Sequence, residues 1–483
     1  MPLTHSGIPV EALRALLENH DLPILFAGIG GVSMRTLAVY AARLGYPVRG
    51  CDREESPAVD ALRAAGIFVT PHHAAATARG AGLVVYTLAL REDAPELVYA
   101  REHRIPAVSR AEFLGALMSR FSARIGVSGS HGKSGTTAKL AAVFRLAGRR
   151  PTVFCGAPLP SGEAFLFGGE ETLIYEACEY RDSFLHFFPT LSVFLNLELD
   201  HTDYFPSIDA LRASFLAAAD RSPVTLLNAD DKNLREIARK TVSRSVLFGE
   251  GEGYDFGYRV LTVDHGYVTL RAYEGGEALG DVTLGTAGRF QAVNATAAIA
   301  AARLSGIPFS YLQTVLAGDT GIPRRLERLG TYDGRPVYYD YAHHPTELRA
   351  VISTVREMTG GDVTVIFSPH TSSRTAALFS EFAAALCTAA FSVLTPVYPA
   401  REAPIPGITS EALAKAVGEH AVALPASDAV DYVRAHTEGA ILLLGAGDLS
   451  VPLAAIREHL DGRAKKNFSE KSENPLDNPP RTV

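Results

Sequence analysis

Residues Gly126-Val127-Ser128-Gly129-Ser130-His131-Gly132-Lys133-Ser134 lie where a strand-like run, Arg124 to Val127, gives way to a helical pattern from Thr136 to Leu146. Glycines at such a junction let backbone N–H groups converge on phosphate oxygens. The helix start adds partial positive charge, Lys133 supplies a full one, and the Ser134 hydroxyl can ligate Mg²⁺. This pattern points to a nucleoside triphosphate. The spacing departs from the usual Gly-x4-Gly-Lys, because Val127 takes the place of the first glycine.

Upstream of this loop, short apolar runs (Ile24 to Ala27, Val48 to Gly50, Leu83 to Tyr86) alternate with helical patterns (Met34 to Leu44, Ala58 to Ala65). That is the rhythm of a parallel sheet with crossover helices. Gly28-Ile29-Gly30-Gly31-Val32-Ser33 follows the first run, and Asp52 follows the second. The pattern approaches a dinucleotide fingerprint but fails at its sixth position, Ser33, so a glycine turn for another diphosphate is expected instead of an NAD site. Downstream, Leu173 to Ala177 and Leu191 to Asn196 read as buried strands whose ends carry Glu176, Glu179, Glu198, Asp200 and His201. Ligands of open α/β sheets gather at such ends. Glu250 to Leu284 reads as a small antiparallel insertion and Gly288 to Leu304 as a helix. A last α/β unit begins near Gly321, with strands around Val337 to Tyr341, Val363 to Phe367, Phe391 to Thr395 and Ile441 to Gly445. The expectation is an α/β chain of three domains, residues 1–121, 122–320 and 321–463. Residues 464–483, rich in Lys, Ser, Glu, Asn and Pro, are expected to be a disordered tail.

Composition narrows the class. A chain of 483 residues exceeds one typical core, and about 100 to 200 residues per domain is consistent with three. The net charge is −7 and no basic stripe is visible, which argues against nucleic acid as a partner. Cys51, Cys155, Cys178 and Cys387 are scattered without a Cys-x-x-Cys pair, which fits free thiols in a reducing cytoplasm better than a disulfide framework or a zinc site. Residues 1–20 carry Glu11, Arg14 and Glu18, unlike a signal core. The least charged stretch, Phe382 to Pro399, is broken by Ser392, Thr395 and Pro396, so it fits a buried helix and strand better than a membrane span. A soluble cytoplasmic enzyme is expected.

A bound triphosphate needs Mg²⁺, which keeps several waters and takes one or two protein carboxylates. Glu176, at the end of a buried strand, is the first candidate. His201, among Glu198, Asp200 and Asp203, reads equally as a metal ligand or a salt-bridged surface histidine. Asp340-Tyr341-Ala342-His343-His344-Pro345 reads as a sharp strand-to-helix turn with Pro345 at the first helical position. Arg324 and Arg325 are candidates to clamp a transferring phosphoryl group. The loop from Ser368 to Thr375 holds Arg374, which suits a carboxylate or an ordinary polar loop equally.

Taken together, these motifs resemble the Mur ligase family: GIGGVSM at Gly28, SRAEFL at Ser109, GSHGKS at Gly129, YEACEY at Tyr175, LNLELDH at Leu195, GIPRRLE at Gly321, YDYAHHPTE at Tyr339 and VYPAREAPIPG at Val397. The last two, with GAGDLS at Gly445, resemble the alanine-adding branch most. The resemblance implies a three-domain ATP-dependent ligase with Rossmann-like outer domains and a phosphate-loop ATPase in the middle. It would join L-alanine to the lactyl carboxylate of UDP-N-acetylmuramate through an acyl phosphate, in peptidoglycan synthesis, as a monomer or homodimer. It further implies that Gly30, Gly31, Val32, Ser33 and Asp52 hold the sugar nucleotide, and that Gly129, Ser130, His131, Gly132, Lys133, Ser134, Gly135, Thr136, Asn294, Arg325 and Asp340 hold ATP. Mg²⁺ would sit on Ser134, Glu176 and His201, and His344 and Arg374 would face the substrates. Lys133, Glu176, His201 and Arg325 would carry the catalysis. An acyl phosphate hydrolyses in water, so closure by the third domain is also expected. The chain departs from the family in having Gly135 for Thr, Cys178 for Asp, Phe290-Gln291 for His-Asn and Thr371-Ser372 for Arg-Tyr. These departures bear on metal tuning and amino-acid recognition. They keep two alternatives open: a ligase for another amino acid or a recycled peptide, and a catalytically weak nucleotide-binding paralogue.

Overall fold

The computed structural model describes residues 4–400 and 402–460. The expected tail at 464–483 and the end of the third unit at 463 lie outside the described residues. The described strands form three sheets.

The first is a five-stranded parallel sheet in the order Phe68–Thr70, Val48–Cys51, Ile24–Ala27, Leu83–Tyr86, Ala107–Ser109. Ile24–Ala27 is buried at every position, as a central parallel strand covered on both faces requires. The turn after it runs through Gly28 at φ +79, a left-handed conformation that glycine adopts without strain, and delivers the chain to helix Val32–Arg43.

The second sheet has ten strands. Its parallel centre places Ala123–Ser128 between Leu191–Phe194 and Thr172–Glu176. At one end, Phe256–Asp264, Tyr267–Glu274 and Glu277–Ala287 form the antiparallel extension expected from the Gly- and Tyr-rich sequence, beginning about six residues and ending about three residues later than the sequence pattern indicated. The strand expected to reach Asn196 ends at Phe194, because Leu195 onward turns across the phosphate loop, Asn196 O accepting from Ser130 N and Asn196 Oδ1 from His131 N. The third sheet runs Glu327–Tyr332, Arg335–Asp340, Ala440–Leu444, Val363–Phe367, Phe391–Leu394, Ala421–Ala423, with only the first strand antiparallel.

Packing couples the first two sheets. Tyr40, fully buried on helix Val32–Arg43, meets Phe121, Phe154 and Phe165 at ring separations of 6.2, 5.5 and 5.9 Å. One apolar cluster therefore runs from Phe26 and Leu37 to Leu173, Phe187 and Phe215. The third sheet is buried within clusters of its own.

Candidate active site

The Ala123–Ser128 strand leads into Gly129, at φ +142, and Gly132, at φ +85, before helix Lys133–Leu146 begins. At Gly132 a Cβ would collide with the amide oxygen of Asn294, so the backbone approaches helix Phe290–Leu304 as only glycine permits. Lys133 turns back into its own loop. Its Nζ donates to Gly129 O and to both oxygens of Glu179, at 3.1 and 3.2 Å. His201 Nε2 lies 3.4 Å from Glu179 Oε1. Burial pushes the Glu179 acid up, but Lys133 and His201 outweigh it and hold the carboxyl down to about 2.

A cavity of about 270 Å³ opens beside the loop, bounded on the loop side by Ser134, Gly135 and Asn294 and on the other by Arg325, Asp340 and Glu347. It therefore lies between the second and third sheets. Asp340 is 4% exposed and accepts from Leu326 N at 2.6 Å and Ala342 N at 2.7 Å. Those bonds pin the turn that carries Arg325, flanked by left-handed Arg324 and Leu326. Burial pushes the Asp340 carboxyl up to about 6, against the pull of Arg325. Arg325 itself lies over the Tyr341 ring, 5.3 Å from its centroid, with Nη1 3.7 Å from Glu347.

Charged pairs cross between the two sheets at this point. His131 places Nε2 3.2 Å from Glu198 and Nδ1 3.1 Å from Glu347. Burial disfavours its charge, but Glu347 and Glu198 win and raise it to about 9, while Glu198 is held down to about 2 chiefly by His131 against its own burial. His344 Nδ1 stands 3.2 Å from Glu198 but accepts from Thr346 N, and burial pushes its imidazole below the usual histidine value, so it is not one of the charged pairs at neutral pH. Arg374 donates from Nε and Nη2 to Asp200 Oδ1, both at 2.8 Å, and both residues are buried.

Comparison with known proteins identifies the family. Residues 23–122 match "Mur ligase family, catalytic domain", 127–302 match "Mur ligase middle domain" and 324–451 match "Mur ligase, glutamate ligase domain". The chain belongs to the Mur ligase family. It is 38% identical to the UDP-N-acetylmuramate--L-alanine ligase of Caldicellulosiruptor bescii over 80% of this chain and 86% of that one. It is 35% identical to the enzyme of the same name from Lachnospira eligens over 89% and 97%. Among solved structures, the UDP-N-acetylmuramate-alanine ligase of Thermotoga maritima is similar at TM-score 0.76 and 26% identity, covering 91% of this chain and 98% of that one. A murein peptide ligase from Psychrobacter arcticus shares the fold, at TM-score 0.68 and 20% identity.

Of the eleven residues expected at the nucleotide in this Mur ligase, seven line the cavity (His131, Gly132, Ser134, Gly135, Asn294, Arg325 and Asp340), while Gly129, Ser130, Lys133 and Thr136 do not. Glu176 sits differently from expectation. Its Oε1 accepts from Gly156 N and from the Cys155 thiol at 3.2 Å, and the carboxylate on Lys133 and His201 is Glu179. Arg374, expected to face substrate, is taken up by Asp200. In the first sheet, Asp52 Oδ2 accepts from Gly30 N at 2.8 Å, so it braces the glycine turn at Gly30 and Gly31, from which Val32 and Ser33 open the helix. Of the departures, Cys178 is a neutral thiol beside Lys133, pushed up to about 11 by burial. Gln291 accepts from buried Lys139 at 3.2 Å and ties two helices together. Sequence reasoning missed Glu347, although the His344-Pro345-Thr346-Glu347 order spells a capping box, with Glu347 accepting from the backbone N–H of His343 and His344. No helix among the described residues is long and apolar enough to cross a membrane.

Proposed function

We propose that this Mur ligase joins L-alanine to the lactyl carboxylate of UDP-N-acetylmuramate with ATP; the names of its relatives, UDP-N-acetylmuramate--L-alanine ligases, support the pair of substrates. The observation that carries the reading is the cavity between the second and third sheets, with Gly132, Ser134 and Gly135 of the phosphate loop on one wall and Arg325 on the other, and Lys133 folded back under the loop onto Glu179. A carboxylate does not react with an amine at neutral pH, so the γ-phosphoryl group first passes to the acid. The amine then displaces phosphate from the acyl phosphate. Lys133, from the phosphate loop, and Arg325, from the opposite wall, are the groups to neutralise the transferring phosphoryl, and Asp340 holds Arg325 in position through Leu326 N.

Mg²⁺ fits the donors present. Glu179 is buried and held ionised, His201 Nε2 points at it, and Ser134 opens the helix beside Lys133. We assign the ion to Ser134, Glu179 and His201, with Glu179 in the role expected of Glu176. Bound there, Mg²⁺ would neutralise phosphate charge and replace Lys133 as the partner of Glu179. Lys133 is then free to turn its ammonium to the phosphates. The sugar nucleotide is assigned to the glycine turn at Gly30 to Ser33.

The test is phosphate release from ATP with UDP-N-acetylmuramate and a panel of single amino acids and short peptides. Release with L-alanine is expected, and Lys133→Ala should abolish it. Release only with a peptide, or none while ATP still binds, would overturn the assignment.

A further inference from the structure

Cys51, His73 and Glu96 come together in the first sheet, away from the nucleotide cavity. Cys51 ends strand Val48–Cys51, His73 follows strand Phe68–Thr70, and Glu96 lies in the first turn of helix Pro95–Glu102. Cys51 Sγ is 3.6 Å from His73 Nδ1 and 3.3 Å from Glu96 Oε1, and His73 Nδ1 is in hydrogen-bond contact with the same carboxylate. Bonds of about 2.0 to 2.3 Å at tetrahedral angles separate neighbouring donors by roughly 3.3 to 3.6 Å, which matches both sulfur distances, whereas the His73–Glu96 contact is closer and has to open when an ion enters.

A second observation points to a ligand. Glu96 is fully buried, and its Oε2 has no hydrogen-bond partner among the described residues. A carboxylate is almost never fully buried unless it is paired or coordinates an ion, and here only one of its oxygens is paired. The His73 side chain, 18% exposed, is the edge of the cluster that solvent reaches.

We infer that Cys51, His73 and Glu96 form a second divalent-cation site, selective for a thiophilic ion of the Zn²⁺ type. Sulfur, imidazole and carboxylate donors suit Zn²⁺ and its congeners and disfavour Mg²⁺. Coordination expels the thiol proton of Cys51 and the proton His73 shares with Glu96. A thiolate, a carboxylate and a neutral imidazole then balance the double charge of the ion. Glu96 Oε2 gains a partner, either the ion or its remaining water. The ion would fasten the end of one strand to a helix start, one residue before Asp52, which braces the glycine turn through Gly30 N.

The test is a titration of the metal-stripped full-length chain with Co²⁺ as a spectroscopic probe. One equivalent is expected to give a thiolate charge-transfer band in the near ultraviolet together with tetrahedral ligand-field bands. Cys51→Ser should lose the charge-transfer band while keeping its far-ultraviolet circular dichroism. His73→Gln should weaken Co²⁺ binding at least about tenfold. Cys155→Ser and Cys178→Ser, near the phosphate loop, should keep the band. Folded wild-type protein with no sulfur band would overturn the site, as would a band that survives Cys51→Ser or vanishes with Cys178→Ser.

Discussion

Glu179 is 1% exposed and meets Lys133 through both carboxylate oxygens, so a change there acts on the charge balance beneath the loop. Glu179→Gln is expected to lower turnover by about 10² to 10³, the range for removing one preorganised electrostatic partner. It should also raise the Mg²⁺ needed for half-maximal rate. Glu176→Gln, which loosens the Gly156 and Cys155 contacts, should cost about tenfold, as the loss of an outer partner does. Phosphate release measured across a Mg²⁺ series separates the two, and the reverse ranking would return the metal to Glu176. Gly135 gives the opposite kind of prediction. It lies within helix Lys133–Leu146, and a Cβ built there meets nothing within 4 Å. Gly135→Ala should therefore stabilise the chain by about 0.5 to 1 kcal/mol, because glycine loses more backbone entropy on folding than alanine does. A thermal melt reads this as a rise in Tm.

At the scale of elements, the phosphate loop is held against helix Pro345–Thr359 by His131, which bridges Glu198 and Glu347. His131 is raised from 6.5 to about 9 by that pairing, so its contribution to the closed contact is complete below about pH 6.5 and is lost as pH rises through 9. Glu198 works in the other direction. Lowered from 4.5 to about 2, it contributes above about pH 4.5 and loses its share as pH falls through 2. Between those limits the loop and the helix stay together. The radius of gyration from small-angle X-ray scattering should increase as pH is taken from about 7 to 10, and His131→Asn should flatten that increase. An unchanged radius in the wild type would mean that another contact holds the closed state. These elements were legible in the sequence to different degrees. Ile24–Ala27, the helix after the phosphate loop and helix Pro345–Thr359 announce themselves through an apolar run, glycines and a proline at the first helical position respectively. The choice between Glu176 and Glu179 is invisible to pattern. Strand Thr172–Glu176 ends at the first, and the second reaches Lys133 only because the chain turns back into the irregular helix Tyr180–His186, with Arg181 and Asp182 in left-handed conformations. Cys51, His73 and Glu96 are likewise scattered in sequence and meet only when parallel strands are laid side by side. The missing Cys-x-x-Cys pair therefore said nothing about them.

For the molecule as a whole, the decisive contrast is between one core that spans the first two sheets and a third unit joined to them at this site by the His131–Glu347 and Asp200–Arg374 pairs. Apolar packing of the Tyr40 kind, spread over many side chains, favours one rigid body. A buried ion pair instead depends on geometry, and removing one partner of such a pair costs about 3 to 5 kcal/mol because the other is left unpaired. Asp200 and Arg374 form such a pair: burial pushes the Asp200 carboxyl up, but His201 and Arg374 outweigh it and hold the carboxyl well below the usual range. Arg374→Ala should therefore release the third unit without unfolding the other two. The scattering radius is expected to grow. The melt should split, with the transition of the shared core unmoved, and turnover should fall while ATP binding to the phosphate loop falls much less. Asp200→Asn with Arg374→Ala should cost less than the sum of the two single changes, because the double variant buries no unpaired charge. Additive losses, or a single melt shifted as a whole, would show that the pair serves the core and that closure of this ligase rests on His131, Glu198 and Glu347 instead.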